Sequence, residues 1–178
     1  EWRRGVEGRG RMMEKKVRRL FWAWEFDKEE KWLNEMAQEG WLLDGVGLCT
    51  YRFAACEPGE YTVRLEMHPF DQKYIDFMKE TGAQYVGRCM QWTYFRKKAA
   101  DGAFDLFSDI DSRMEHLKRI ERLLCGLALG NLALGISNSM NAPHVGWINL
   151  LVASLLTYGL GRLHGKREAL QEKRLLME

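Results

Sequence analysis

Two apolar runs in the second half of this chain, residues 123–140 and 145–163, constrain its fold more than any other stretch. Only Asn141-Ala142-Pro143-His144 separates them, and neither run contains Asp, Glu, Lys or Arg before Arg162. A helix crossing about 30 Å of hydrocarbon needs roughly 20 mostly apolar residues, within about 17 to 25. Both runs meet that length, so they read as a two-helix transmembrane hairpin. Arg162 lies where a long side chain reaches the headgroups. Asn131 is expected to face the partner helix, because an unpaired amide in hydrocarbon is costly. Gly126 and Gly130 form a GxxxG pair and Gly159 lies in the second run; small residues let helix backbones approach. Gly126, Gly130, Asn131 and Gly159 are thus the expected packing positions. The competing reading is a soluble helical hairpin buried in a dimer.

Charge orients the hairpin. Lys118, Arg119 and Arg122 precede it, Lys166, Arg167, Lys173 and Arg174 follow it, and the turn has no Lys or Arg. The positive-inside rule then gives a multi-pass protein of the cell membrane with both termini cytoplasmic. The bilayer is its first partner, and a homo-oligomer is a further expectation. Overall, 27 basic against 25 acidic residues give a net charge of +2, which argues against a nucleic-acid partner. Cys49, Cys56, Cys89 and Cys125 fall in no metal-ligand spacing and read as reduced structural thiols.

The organisation follows: residues 1–16 as a Gly- and Arg-rich disordered arm or over-extended reading frame, 17–108 as a cytosolic domain, 109–122 as an amphipathic juxtamembrane helix, 123–163 as the membrane helices, and 164–178 as a charged tail. Within the domain, Trp32, Leu33 and Met36 fall on Tyr74, Ile75 and Met78 at an offset of 42 residues, as do Gly40 on Gly82, Gly45 on Gly87 and Phe53 on Phe95. Each unit reads strand, helix, then a bent strand or hairpin. The first strand is expected over 17–26, with Asp27 capping the next helix and Glu29 and Glu30 in its first turn. Asp71 is expected to begin the second helix, and a last strand over 103–107 to close the domain. The fold class is therefore α+β: a ferredoxin-like βαββαβ tandem repeat followed by the hairpin. Such a plan leaves one sheet face open. Trp22, Trp24, Trp92 and Tyr94 are the expected walls of a ligand or partner surface there.

Lys28-Glu29-Glu30-Lys31-Trp32-Leu33-Asn34-Glu35-Met36 followed by Gly40-Trp41-Leu42-Leu43 resembles the opening of the bacterial DUF2812 proteins. Pro58-Gly59-Glu60-Tyr61, Tyr85-Val86-Gly87-Arg88 and Trp92-Thr93-Tyr94-Phe95-Arg96-Lys97 extend the resemblance. It implies an uncharacterised protein with carboxy-terminal membrane helices, often encoded beside PadR-type transcriptional regulators, and supplies no catalytic residues.

No catalytic motif stands out, and no metal or cofactor is expected. His68, His116, His144 and His164 are scattered, Ser108-Asp109 reads as a helix cap, and Gly45-Val46-Gly47 reads as a strand bend. The expected function is a non-enzymatic, membrane-anchored regulatory or adaptor protein whose domain binds a small molecule or protein partner. The alternatives are a small ferredoxin-like enzyme with a dimer-enclosed cavity, with His68 or Glu66 as its acid or base, and an accessory subunit of a membrane transporter.

Overall fold

Alternating strand and helix periods build two units of the same order, strand–helix–strand–strand, and a computed structural model describes residues 13–107, 109–141 and 143–176 of them and of the hairpin beyond. The first unit comprises β1 (Glu14–Arg18), a 3₁₀ turn at Ala23–Glu25, α1 (Phe26–Gln38), β2 (Trp41–Gly47) and β3 (Thr50–Ala55). The second comprises β4 (Tyr61–Met67), α2 (Gln72–Glu80), β5 (Gln84–Cys89) and β6 (Trp92–Lys98). Each forms its own three-stranded antiparallel sheet, ordered β1-β3-β2 and β4-β6-β5. Both helices stop at a glycine in the left-handed region, Gly40 at φ +85° and Gly82 at +87°. Only a residue without Cβ adopts that conformation cheaply. Both sheets also carry a register shift just before a glycine, between Leu43 and Gly45 and between Tyr85 and Gly87.

The strands do not merge into one ferredoxin-like sheet. The two sheets share one core, in which Trp32, Leu33 and Met36 of α1 meet Leu43, Tyr51, Phe53, Val63, Leu65 and Tyr94 of the strands. β2 and β5 run side by side without a hydrogen-bonded ladder, bridged instead by Arg96 Nη1 donating to the Leu43 carbonyl at 2.7 Å. On the opposite side α1 covers the edge of β4. Asn34 Nδ2 donates to the Val63 carbonyl and Asn34 Oδ1 accepts from the Val63 amide, both at 2.9 Å, as a neighbouring strand would. The expected open face is therefore occupied, since Val63, Leu65 and Tyr94 of the second sheet meet α1 in the shared core. On the outer face of the second sheet, Ile75, Met78, Ala83, Phe95 and Phe104 make a smaller core under α2.

Local boundaries differ from expectation where tertiary contacts decide them. The first strand lies at Glu14–Arg18, beginning inside the expected arm and ending early in the expected strand, because Glu14 to Arg18 pair with Ala54 to Thr50. After it, Arg19 to Trp22 have no regular structure and Phe21 turns into the core. Helix α1 starts at Phe26, with no side-chain cap, so Asp27 lies in its first turn. Asp71 does cap α2, accepting from the Lys73 amide at 2.9 Å. Residues 103–107 form no strand; Phe104 is buried and its carbonyl accepts from Arg64 Nε at 2.9 Å. Asp109 caps α3 through the Ser112 amide at 2.7 Å, while Ser108 lies outside the described residues, as do residues 1–12.

Two long helices complete the chain, α3 (Ile110–Asn141) and α4 (Pro143–Leu175). At about 1.5 Å per residue each is roughly 48 Å long, well beyond a hydrocarbon core of about 30 Å. The juxtamembrane helix and the first apolar run are one helix, and the charged tail is the end of the other. Antiparallel packing brings Leu150 against Gly135 and Ser139 against Gly146, where any Cβ would collide. Near the domain, Leu117, Ile120, Leu124 and Leu163 bury Trp24 and Met67 in a core shared by domain and hairpin. Among the described residues α3 is long and apolar enough to cross a membrane, with a mean hydropathy of 1.4 over its best 18-residue stretch. Helix α4 does not reach that standard; Asn149, Ser154 and Thr157 dilute its apolar run.

Candidate functional site

Glu29 lies on the face of α1 that also presents Trp32, Leu33 and Met36, so the helical period carries a carboxylate into the shared core. It lies in the first turn, as expected from the sequence, but is buried there. Tyr51 from β3 and Tyr94 from β6 donate their hydroxyls to the same oxygen, Glu29 Oε1, at 2.8 and 2.7 Å. Among the described residues no cation pairs with it. Burial pushes the Glu29 carboxyl above its ordinary range, and the two hydroxyl donors pull it partly back. The phenols of Tyr51 and Tyr94 are held up by burial first, then by the carboxylate charge and the bond to it.

Aromatic rings wall this acid toward the surface. Trp32 meets Tyr51 edge-on at 5.0 Å between centroids, and Phe21 lies 5.6 Å from Trp32 and 6.4 Å from Tyr51. Over them sits the guanidinium of Arg19, 4.9 Å from the Phe21 ring and 5.0 Å from the Trp32 ring. A recess of about 400 Å³ opens at this wall, lined by Arg19, Phe21, Trp32, Glu25, Lys28 and Glu35 among others. Lys28 is neutralised there by Glu25 at 2.6 Å. The thiol near Glu29, that of Cys89, is held protonated by burial. What it offers is recognition: one carboxylate, two fixed hydroxyls and aromatic faces.

The four aromatics expected to form one surface are distributed over three places. Tyr94 belongs to the Glu29 site. Trp92 is half-buried and stacks on Phe26 at 5.8 Å. Trp24 is 5% exposed and lies against Gly159 of α4, and Trp22 stacks on it at 5.1 Å with its outer side in solvent. Gly159 thus makes room for an indole of the domain rather than for the facing helix. At Gly126 and Gly130 a Cβ would meet nothing within 4 Å, and Asn131 Nδ2 donates back to the Leu127 carbonyl at 2.8 Å.

Two further titratable groups are buried: His116, which sequence reasoning missed, and Glu66, a candidate acid or base of the enzyme alternative. His116 on α3 is 1% exposed inside a cage of Phe26, Phe107 and Trp92, with ring centroids at 5.1, 5.0 and 5.8 Å. Neither ring nitrogen has a hydrogen-bond partner among the described residues, and burial, aided by Arg119, lowers its pKa to about 3. Glu66 is also buried, its carboxyl raised by burial and partly restored by the Tyr74 hydroxyl. Next to it His68 is half-buried, stacked on Tyr74 at 4.2 Å. Among the described residues no group of three or more His, Cys, Asp or Glu side chains converges to hold a metal.

A groove of about 750 Å³ lies in the hairpin stem between Lys118, Arg122, Glu121, His164 and Arg167. Through Cys125, Thr157 and Leu160 it continues into an apolar groove of about 440 Å³ lined by Leu129, Leu132 and Leu150. The charged lining of the stem thus gives way to an apolar one further along the hairpin.

No curated protein and no solved structure matches the chain. A family model does, over residues 25–129, from the start of α1 through Glu29, both tyrosines and His116 into the apolar part of α3: the chain belongs to DUF2812, a family described as protein of unknown function.

Proposed function

We propose that this is a membrane-tethered, non-enzymatic regulatory or adaptor protein, whose α+β domain receives a small molecule between its sheets while the hairpin holds it at the bilayer. The observation that carries the reading is the contrast along the hairpin. Its stem is clamped to the domain by Lys166, which donates to Asp27 at 2.6 Å and to the Trp24 carbonyl at 2.8 Å, and by Arg119, which donates to the Met67 carbonyl at 2.6 Å. Beyond the stem, Leu129, Leu134, Ile136, Met140, Trp147 and Leu151 are bare. So large an apolar surface on a folded chain calls for lipid or protein cover. A turn free of Lys and Arg supports the multi-pass orientation with both termini cytoplasmic, α4 crossing as the partner of α3. The open face at Gly126 and Gly130 supports a second copy as a neighbour. The 42-residue correspondence supports a duplicated strand–helix–hairpin unit, and the family's setting beside PadR-type regulators supports a regulatory role. Glu29 supports the small-molecule half, because a buried carboxylate without a countercharge is costly to maintain in a core.

Membranes from cells making the tagged chain are washed with alkaline carbonate. Retention in the pellet is the expected result. Release into the wash overturns the membrane half and makes the apolar tip a protein–protein surface.

A further inference from the structure

We propose that the end of the domain nearest the hairpin is a second membrane contact, a surface of loops that beds into an anionic headgroup layer at the root of the hairpin. This rests on the membrane reading above and adds to it a docking face and an orientation for the domain. Residues 19–22, 47–49, 68–70 and 89–91 make the surface, and backbone pairing collects them at one end. The Arg19 amide donates to the Cys49 carbonyl, and the His68 amide to the Gln91 carbonyl, both at 3.1 Å. Strands β2 and β5 run side by side in the same direction, because Val46 lies against Gly87 while Leu43 lies level with Arg96, the partner of Gln84. The tips of their two hairpins therefore lie together.

Three observations point to lipid. The first is level. Arg64 of β4 and Arg113 of α3 both reach the 104–105 segment, and three residues further along the strand the Met67 carbonyl accepts from Arg119. Strand and helix thus advance together, and the loop after Met67 continues toward the apolar run that starts at Leu123. On the other flank Trp22 stacks on Trp24, which lies against Gly159 inside the second apolar run. Tryptophan at the edge of an apolar span is what a membrane–water interface favours.

The second is composition. Leu20, Leu48, Phe70 and Met90 are each more than half exposed, in loops where polar residues and glycine are usual. Met90 stands at φ +54°, a conformation that favours Gly or Asn, so an apolar side chain is kept there at a backbone cost. Elsewhere on the domain, Met13 and Phe77 are the exposed large apolar side chains among the described residues. The third is charge. Arg18, Arg19 and Arg88 stand at this end and form no ion pair among the described residues. Arg88 lies over the Phe70 ring at 5.8 Å. The exposed acids here are engaged, Glu25 by Lys28, Asp27 by Lys166 and Asp71 by the start of α2. At the far end the turns 39–40, 56–60, 80–83 and 99–102 carry Glu39, Glu57, Glu60, Glu80 and Asp101 and no Lys or Arg. Apolar tips ringed by unpaired arginines fit an anionic bilayer surface, the tips entering the acyl boundary while the guanidinia meet phosphates.

The test uses the full chain in vesicles of equal parts phosphatidylcholine and phosphatidylglycerol. The photoreactive residue benzoylphenylalanine is placed singly at position 48, 70 or 90, at position 57 of the far end, or at position 134 of the hairpin. All five side chains are exposed, so the replacement leaves the packing alone. After illumination, mass spectrometry reads lipid adducts. They are expected at 48, 70 and 90 as at 134, with none above the dark background at 57. In vesicles of phosphatidylcholine alone the adducts at 48, 70 and 90 should fall severalfold while those at 134 hold. Adducts at 134 without any at 48, 70 and 90 overturn the docking face and leave the membrane reading standing. Absence of lipid adducts at every position, 134 included, overturns the membrane reading as well. Labelling at 57 equal to that at 90 overturns the orientation. Adducts to a second polypeptide in place of lipid overturn the bilayer assignment and make this end a protein interface. Adducts indifferent to the loss of anionic lipid overturn the part given to the arginines.

Discussion

Glu29 and His116 are both buried without a charged partner, and they bend the stability curve in opposite directions. The His116 pKa falls from its ordinary 6.5 to about 3, so the unfolded chain binds the extra proton between those values. Stability contributed by neutral His116 is complete above about pH 6.5 and is lost as pH falls toward 3. His116→Leu should flatten that acid limb and add about 1 to 2 kcal/mol near neutrality, because two unpartnered ring nitrogens leave the core; urea titrations at pH 4 and pH 7 measure both. The Glu29 carboxyl is raised, so here the folded chain binds the extra proton, and stability drops as pH rises from the ordinary carboxylate range through the folded value. Glu29→Gln should reduce the loss of thermal stability between pH 5 and 8. Neither group announces itself in the sequence. His116 reads as one charge-flanked residue of a juxtamembrane helix, and Glu29 as a helix-start acid. Glu29 does share the phase of Trp32, Leu33 and Met36, and that is the signal from which its burial is legible.

Elements are easier to read than the contacts between them. The two helices, their glycine stops and the strand β4 follow from local rules and are present in the structure, though Glu66 is buried where the alternation in β4 turns it outward. The sheet plan does not. Two units of strand, helix and hairpin fit either one continuous sheet or two separate ones, and the choice falls to long-range contacts such as Asn34 on β4. Asn34→Ala should therefore cost about 1 to 3 kcal/mol by stranding the Val63 amide and carbonyl, read from the denaturant midpoint. For the hairpin glycines, motif spacing is a poorer guide than the neighbour each one meets. Gly159→Leu forces the Trp24 indole aside and should destabilise by about 1 to 3 kcal/mol. Gly126→Leu meets open space within the chain and should leave folding in detergent unchanged. If it instead dissolves an oligomer seen by light scattering, that face is where copies meet.

At the scale of the whole molecule, domain and hairpin are not separable modules. Trp24 and Met67 of the domain share a core with Leu117, Ile120, Leu124 and Leu163 of the hairpin. A fragment of residues 13–107 loses that cover, and should bind hydrophobic dyes and unfold at lower urea than the full chain in detergent; a fragment as stable as the full chain would mean the shared core contributes little. The length rule identifies the apolar runs, yet it cannot see that each continues as helix for several turns to grip the domain, since charged residues such as Glu121 and Arg167 look like mere flanks until they pair across the stem.

The indole of Trp24, wedged against Gly159, sits immediately before the helix that carries Glu29. A small roll or tilt of α4 thus pushes on the root of α1, much as a pedal moves a linkage. Trp24 is in this sense a strut between the hairpin and the domain, and any displacement of α4 at Gly159 is delivered to the start of α1.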